Sequence, residues 1–271
     1  MYISVWLKNR GSIMTLFYNR IGFFTLLQRE VRRFMKVPIQ TILSPLLSNI
    51  LYLGIFGGMM RTRQVGVEGV NYLLFIVPGL ATMGAIMAAF QNPSFSIISH
   101  KYQNTIQDLN SYPISNIEKS LAFILGGTIR GLLVGSLTYT ATAIFVGFKI
   151  ESPVNFFIML CVTSFIFASL GLISGLLIES FERLNFMLSI VITPLSYLGG
   201  VFFEVSKLPG ILSFFKFINP IFPLINITRY TYLGVSEGNI LLHFIMVVVF
   251  VSGLFTTATI TLAKGYGTKV T

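Results

Sequence analysis

The sequence predicts an all-α membrane protein with six transmembrane helices, an N-terminal amphipathic interfacial helix and short re-entrant helices before the last span. Hydrophobic residues make up 54% of the 271 residues and charged residues only 10%, whereas a soluble domain carries about 25% charged residues. Most of the apolar residues fall in runs of about 20, the length that crosses a hydrocarbon layer of about 30 Å. One soluble core cannot hold so much apolar sequence.

The first element is an amphipathic helix predicted over residues 13–36. Its apolar residues recur at spacings of three and four, and they are Phe17, Ile21, Phe24, Leu27, Val31 and Phe34. Basic and polar residues fill the other side, so the helix is too charged to span and suits the cytoplasmic membrane interface. Pro38 should end it. Residues 1–38 therefore form a cytoplasmic arm, and residues 39–271 form the transmembrane domain.

Six apolar runs follow, separated by polar segments or tight turns. The predicted spans are 39–60, 72–90, 120–148, 154–178, 184–203 and 240–263. Residues 204–239 contain two apolar stretches that are too short and too proline-rich for a comfortable crossing. Paired short helices that dip into the outer leaflet fit this segment better, because irregular backbone at membrane depth must be buried by protein or a cavity.

The distribution of basic residues predicts the orientation. With six spans, the side that carries both termini holds twelve Lys and Arg residues and the other side holds six. The positive-inside rule places the richer side in the cytoplasm. We therefore expect a multi-pass protein of the cell's inner (plasma) membrane with both termini cytoplasmic.

Several other classes are disfavoured by the same residues. The net charge of +10 comes largely from the basic arm, where seven of the 19 Lys and Arg residues precede Val37. Such an arm is more simply a topology signal and a contact for anionic lipids than a nucleic-acid site. Cys161 is the only cysteine, so no internal disulfide can form. Charged residues interrupt the N-terminal apolar sequence, so we expect no cleaved signal peptide.

The sequence offers little catalytic chemistry. No G-x-x-x-x-G-K-[ST] pattern occurs, so any ATP hydrolysis must belong to a partner. His100 and His243 stand apart from carboxylates and thiols at metal-ligand spacing, and a structural role is favoured over metal binding. No catalytic residue or metal site is predicted. A membrane-embedded enzyme is disfavoured because no cluster of acids with histidine recurs at one depth.

Glycines spaced by four form three small-residue seams. They are Gly54 with Gly58, Gly127 with Gly131 and Gly135, and Gly171 with Gly175. Each set lies on one helix face, where bare backbone permits close helix contact. Packing inside one subunit is the favoured interpretation, and a subunit interface or moving surface is the alternative.

Two polar features have open interpretations. Arg130 lies inside the third predicted span, where an unpaired charge costs at least about 2.5 kcal/mol. It either snorkels to the cytoplasmic interface or takes part in a translocation path. Residues 100–112, closed by Pro113, are either a plain connection or a short helix that docks into a groove on another protein. The mixture of polar and apolar residues favours docking.

The chain resembles the membrane subunits of type-2 ABC exporters, the permease family that includes YadH-like and NodJ-like proteins. The resemblance rests on residues 75–79 (FIVPG), 130–132 (RGL) and 193–203 (TPLSYLGGVFF), followed by Leu208-Pro209, Asn219-Pro220 and Arg229-Tyr230. It covers nearly the whole chain.

The resemblance implies a permease that pairs with a second copy of itself and binds two copies of a separate ATPase subunit, within membrane lipid and without nucleic acid. This chain would bind no cofactor, and ATP and Mg would act through the ATPase. A coupling helix over about 99–109 and the interfacial helix would rest on that subunit. The expected coupling residues are His100, Lys101, Gln103, Asn104, Gln107, Asp108, Arg29, Arg32 and Arg33. Two short helices within 208–233 would close the outer face.

A second group of residues is expected at the translocation path or the dimer interface. It comprises Arg130, Tyr197, Gly199, Gly200, Phe202, Phe203, Asn219, Pro220 and Arg229. The implied function is ATP-driven outward movement of an amphipathic, glycan, lipid or drug-like substrate. A self-sufficient carrier or channel is the alternative, and it predicts transport by the chain alone.

Overall fold

The computed structural model describes residues 19–59, 70–207 and 218–267, which form helices joined by turns without any strand. We number the helices in chain order. They are α1 (Arg20–Met35), α2 (Ile39–Met59), α3 (Tyr72–Tyr102), α4 (Asp108–Ser111), α5 (Asn116–Val146), α6 (Pro153–Leu177), α7 (Phe181–Val201), α8 (Ile221–Leu233) and α9 (Ile240–Ala263). Helices α2, α3, α5, α6, α7 and α9 are long and apolar enough to cross a membrane. The predicted all-α fold with six spans is confirmed.

Helix α1 packs one face against the spans. Asn19 caps it by accepting a hydrogen bond from the Gly22 backbone N–H, and the chain turns after Met35 into Pro38 and α2. Phe23, Leu26 and Phe34 are buried, while Ile21 and Phe24 are exposed. The start predicted over residues 13–18 lies outside the described residues, and the position of α1 at the membrane interface stays a prediction.

Helix α3 is the centre of the fold. In its most apolar window 83% of residues are buried, against 17% in α2 and 11% in α9. Helices α5 and α6 pack along α3, whereas α2 and α9 expose most of their apolar side chains. A span that is apolar on all sides but buried on one must face lipid or another subunit.

Helix α3 continues to Tyr102, beyond the predicted end at Phe90. Its second half is polar in sequence, yet Asn92, Ser94 and Ser96 are buried. The Ser94 hydroxyl donates to the Phe90 carbonyl at 2.7 Å, as serines in buried helices commonly do. The stretch was predicted as a loop because its sequence is polar. It continues the helix because its polar groups form hydrogen bonds inside the protein rather than with water.

The predicted helix over 99–109 does not form as one element. Helix α3 ends at Tyr102, Asn104 adopts a positive φ of 56°, and the single turn α4 begins at Asp108. Asparagine tolerates this left-handed conformation better than most residues, and it breaks the helix there. The connection is therefore a compact turn followed by a short helix.

Two of the three glycine seams pack inside the subunit. A Cβ at Gly131 would lie 2.8 Å from the Ala85 carbonyl oxygen of α3 and 2.5 Å from the Ser164 hydroxyl of α6. A Cβ at Gly175 would lie 2.9 Å from Ser94 Cα. Side chains at either place would push α3, α5 and α6 apart. Gly54 and Gly58 differ, since no atom of the described chain lies within 4 Å of a Cβ at either one.

The described residues between the last two spans include one long helix, α8. Helix α7 ends at Val201, and Gly200 just before its end has a φ of +91° that favours glycine. Helix α8 is almost fully buried and ends at Gly234 in the left-handed conformation. The predicted partner helix falls on residues 208–217, outside the described residues. Whether α8 re-enters the membrane stays a prediction.

Candidate functional site

Polar side chains are exposed on the connection between α3 and α5. Gln103, Asn104, Gln107 and Asp108 are exposed, while Ile106 and Leu109 point inward and are buried. The apolar pair anchors the turn and leaves the polar residues on the outside. We call these four residues, together with Arg29 and Arg32 of α1, the loop surface.

Lys101 and His100 were expected on this surface, but their side chains are bound within the chain. The Lys101 ammonium donates to the carbonyls of Leu176 and Ile178 at 2.7 and 2.8 Å, and it thereby satisfies the C-terminus of α6. His100 Nδ1 lies 2.7 Å from the Thr105 hydroxyl and holds the turn after α3. Both residues shape the loop surface from beneath.

A buried carboxylate ties α1 to the spans. Glu30 has no exposed surface and accepts hydrogen bonds from Arg29 at 3.2 Å, Arg33 at 3.1 Å and the Ser96 hydroxyl at 3.0 Å. Gly126 of α5 makes room, since a Cβ there would lie 2.8 Å from Glu30 Cβ. A buried charge of this kind needs several partners to offset its desolvation. It therefore sets the position of α1 on α3.

Further bonds join α1 to the connection itself. The Arg29 guanidinium donates to the Tyr112 hydroxyl at 3.0 Å, and the side-chain amide of Asn19 donates to the Pro113 carbonyl at 3.2 Å. Arg33 also donates to the Asn92 carbonyl at 2.7 Å. Hydrogen bonds thus link α1 both to α3 and to the turn before α5.

Arg130 is buried inside the chain. Only 4% of it is exposed, its guanidinium donates to Gln91 Oε1 at 3.2 Å, and its Nε has no hydrogen-bond partner among the described residues. Both its position at the cytoplasmic interface and its role in a translocation path stay predictions.

An aromatic cluster joins α2 to the end of α7. The Tyr52 and Tyr197 hydroxyls lie 2.8 Å apart, and the Phe56 and Phe202 rings stack with centroids 4.4 Å apart. Tyr197 and Phe202 were expected at the path or interface, whereas Tyr52 and Phe56 were not singled out. The only sequence signal for Tyr52 and Phe56 is their spacing by four in the first span. The same spacing occurs wherever a span packs against a neighbour, so it does not identify a functional cluster.

A second cluster surrounds Arg229 of α8. Only 2% of Arg229 is exposed. Its guanidinium donates to the Gly200 carbonyl, lies 3.7 Å from the Phe75 ring centroid and sits 3.5 Å from Glu237. Burial lowers the pKa of Arg229 to about 10, and Glu237 and Glu204 oppose that shift. The guanidinium therefore remains charged near neutral pH. We call Arg229, Gly200, Phe75 and Glu237 the arginine cluster.

The remaining predicted residues surround this cluster. Asn219 is buried, donates to the Leu195 carbonyl at 2.6 Å and accepts from the Ile221 N–H at 2.9 Å. A Cβ at Gly199 would lie 3.0 Å from the Ile221 side chain, and Pro220 precedes α8 directly. Phe203 is half-buried. They join the end of α7 to α8, and their place at a translocation path or dimer interface stays a prediction.

Helix α3 connects the two ends of the molecule. Phe75 near its start contacts Arg229, and a Cβ at Gly79 would lie 2.9 Å from the Val201 backbone. Its other end carries the loop surface. The 75–79 motif of the sequence is thus explained by contact with α7 and α8.

Six helices that are long and apolar enough to cross a membrane define a multi-pass membrane protein. The sequence profile described as ABC-2 type transporter matches residues 21–233. The chain belongs to the ABC-2 type transporter family, and it is a permease rather than an enzyme.

Individual relatives agree with this assignment. The chain is 32% identical to the inner membrane transport permease YadH of Escherichia coli (strain K12) over 241 residues, which cover 89% of this chain and 94% of YadH. It is 27% identical to nodulation protein J of Rhizobium meliloti (strain 1021), with coverage of 80% and 83%. Nodulation protein J of Rhizobium leguminosarum bv. viciae is 24% identical, with coverage of 93% and 98%.

Proposed function

We propose that this chain is the membrane subunit of an ATP-driven exporter, and that it works as a pair of copies bound to two copies of a separate ATPase. The cargo is an amphipathic, glycan, lipid or drug-like molecule that moves outward across the inner membrane. Family membership and the absence of a phosphate-binding loop in the sequence support a separate ATPase. The name of YadH supports the inner membrane.

The observation that carries the proposal is the loop surface. Its exposed residues rest on buried Ile106 and Leu109, and bonds to α1 hold it in place. A rigid polar patch at the end of the most buried span is suited to receive force from a partner. Basic Arg32 of α1 and acidic Asp108 are both exposed, so the surface offers charges of both signs. With six spans, this surface would share one side of the membrane with both termini, and the distribution of basic residues supports a cytoplasmic position for that side.

Helix α3 would carry the motion to the outer face. Its 31 residues rise about 1.5 Å each, which gives a lever of about 45 Å. Movement at the loop surface would reach the contacts of Phe75 and Gly79 with α8 and α7. The arginine cluster would act as the closed outer gate. Cargo would then pass between the two copies, along the exposed faces of α2 and α7 and their aromatic cluster.

Charge reversal at Asp108 tests the coupling assignment. Asp108→Lys should leave the folded permease intact but weaken binding of the ATPase and uncouple hydrolysis from export. Lys149→Glu is the matched control, because Lys149 is equally exposed on the connection between α5 and α6, at the opposite end of the spans. Lys101 is unsuitable, since its ammonium holds the end of α6. Unchanged transport in Asp108→Lys would contradict the assignment, whereas export lost equally in both variants would point to a general effect of charge.

A further inference from the structure

A cavity lies between α8 and the start of α9. It has a volume of about 450 Å³, and its lining includes Phe222, Asn239, Leu242, His243 and Met246. The arginine cluster borders this cavity only through Glu237. Neither the family assignment nor the proposed export path gives the cavity a role.

Hydrogen bonds fix the protonation of His243. The Glu237 backbone N–H donates to Asn226 Oδ1 at 2.8 Å, and Asn226 Nδ2 donates to the Glu237 carbonyl at 2.8 Å. The Asn226 amide therefore has only one orientation. Its Nδ2 also lies 2.9 Å from His243 Nδ1, and its second hydrogen makes that ring nitrogen the acceptor. In the neutral imidazole the proton consequently sits on Nε2.

His243 thus presents an unused donor. Only 7% of His243 is exposed, yet its Nε2 has no hydrogen-bond partner among the described residues. Asn239 adds a second donor, because its Oδ1 caps the Leu241 and Leu242 N–H groups and leaves its Nδ2 unused. The two donors stand at the first turn of α9 and are separated by one helical turn.

The rest of the lining combines the apolar side chains of Phe222, Leu242 and Met246 with Ser206, Glu237 and Gly238. Leu242 and Met246 stand one turn apart on α9, and Phe222 packs its ring against the edge of His243 at 5.2 Å between centroids. Only 11% of the apolar window of α9 is buried in the chain, and Leu242 is 52% exposed. The Glu237 carboxylate accepts two bonds from Ser206 and pairs with Arg229, so its charge is offset.

We propose that this cavity binds a bilayer phospholipid on the side of the membrane opposite the termini. The phosphodiester oxygens accept from His243 Nε2–H and Asn239 Nδ2, and an acyl chain runs along Leu242 and Met246. Donors at the mouth and apolar walls beyond them match the order of groups in a phospholipid. A bound lipid here would brace α8 against α9 next to the arginine cluster.

Lipid titration of the full chain in mild detergent tests the proposal. Native mass spectrometry would compare dioleoyl phosphatidylethanolamine, dioleoyl phosphatidylglycerol and dioleoylglycerol. Both phospholipids should bind alike, and dioleoylglycerol about tenfold more weakly because it lacks the phosphodiester. Equal binding of all three would overturn the recognition of the phosphodiester by the two donors.

Two variants locate the site. Met246→Phe fills the cavity without touching the bond between His243 and Asn226, and it should weaken phospholipid binding about tenfold. Val248→Phe adds similar bulk at a position that is 66% exposed outside the cavity, and it should bind phospholipid as the unmodified chain does. Equal binding by Met246→Phe and the unmodified chain would overturn the proposal.

A crosslinking experiment on the unmodified chain covers the case in which Met246→Phe does not fold. A phospholipid that carries a diazirine near its glycerol should label the peptide containing residues 238–246. Labelling confined to other helices would overturn the proposal. Neither experiment needs ATP or a partner, so failure here would leave the proposed export function standing.

Discussion

Replacement of Arg229 gives the sharpest prediction about stability. Arg229→Met removes the cation from a site that is 2% exposed and leaves the Glu237 carboxylate, itself 4% exposed, without its counter-charge. Removal of one partner of a buried ion pair costs about 3 to 5 kcal/mol. The lost bond to the Gly200 carbonyl and the contact with Phe75 belong to the same network, so their energies do not simply add. We expect a loss of about 3 to 5 kcal/mol in the free energy of unfolding.

A double-mutant cycle isolates the pair. Glu237→Gln removes the carboxylate charge, and Arg229→Met with Glu237→Gln should lose less stability than the sum of the single changes, by about 1 to 3 kcal/mol. Unfolding in mixed micelles, followed by circular dichroism, gives the four free energies. Arg229→Lys is the control for charge, since it keeps a cation but cannot form the same fork to Gly200 and Glu237. Additive losses would refute the claim that the two residues stabilise α8 as a charged pair.

The remaining predictions concern packing and the buried carboxylate. Gly131→Val should destabilise the chain by about 1 to 3 kcal/mol or more by overpacking, whereas Gly253→Ala, with open space around it, should be neutral or slightly stabilising; thermal unfolding in detergent compares them. Glu30→Gln should loosen α1 and raise its hydrogen exchange, and unchanged protection would contradict its anchoring role. Tyr52→Phe and Tyr197→Phe should each cost about 1 kcal/mol, with the double variant costing less than the sum.

The spans could be predicted because a bilayer imposes a simple length and polarity on the sequence. Glycine spacing on α5 and α6 also favoured packing inside the subunit, and both seams meet neighbouring helices there. The same spacing at Gly54 and Gly58 meets no atom of the described chain within 4 Å, so the pattern alone does not give the partner. The exposed faces of α2 and α9 carry the same apolar residues as buried faces, so sequence alone could not separate them.

The polar interior was not predictable in the same way. Residues 91–102 look like a loop, yet they continue α3 because Glu30 and Arg33 from a distant helix meet Ser96 and Asn92. The role of Lys101 beneath the loop surface depends on carbonyls at the end of α6. The pairing of Asn226 with His243 likewise joins two helices, and no local pattern reveals it. Long-range polar contacts of this kind require the fold.

The division of labour between this chain and a separate ATPase is tested most directly by purification from native membranes. The chain would carry an affinity tag, and everything recovered in mild detergent would be identified and assayed for ATP hydrolysis. We expect a stoichiometric nucleotide-binding subunit that is lost when the loop surface is scrambled. A chain that purifies alone and moves solute in vesicles without ATP would contradict the account and establish a self-sufficient carrier or channel.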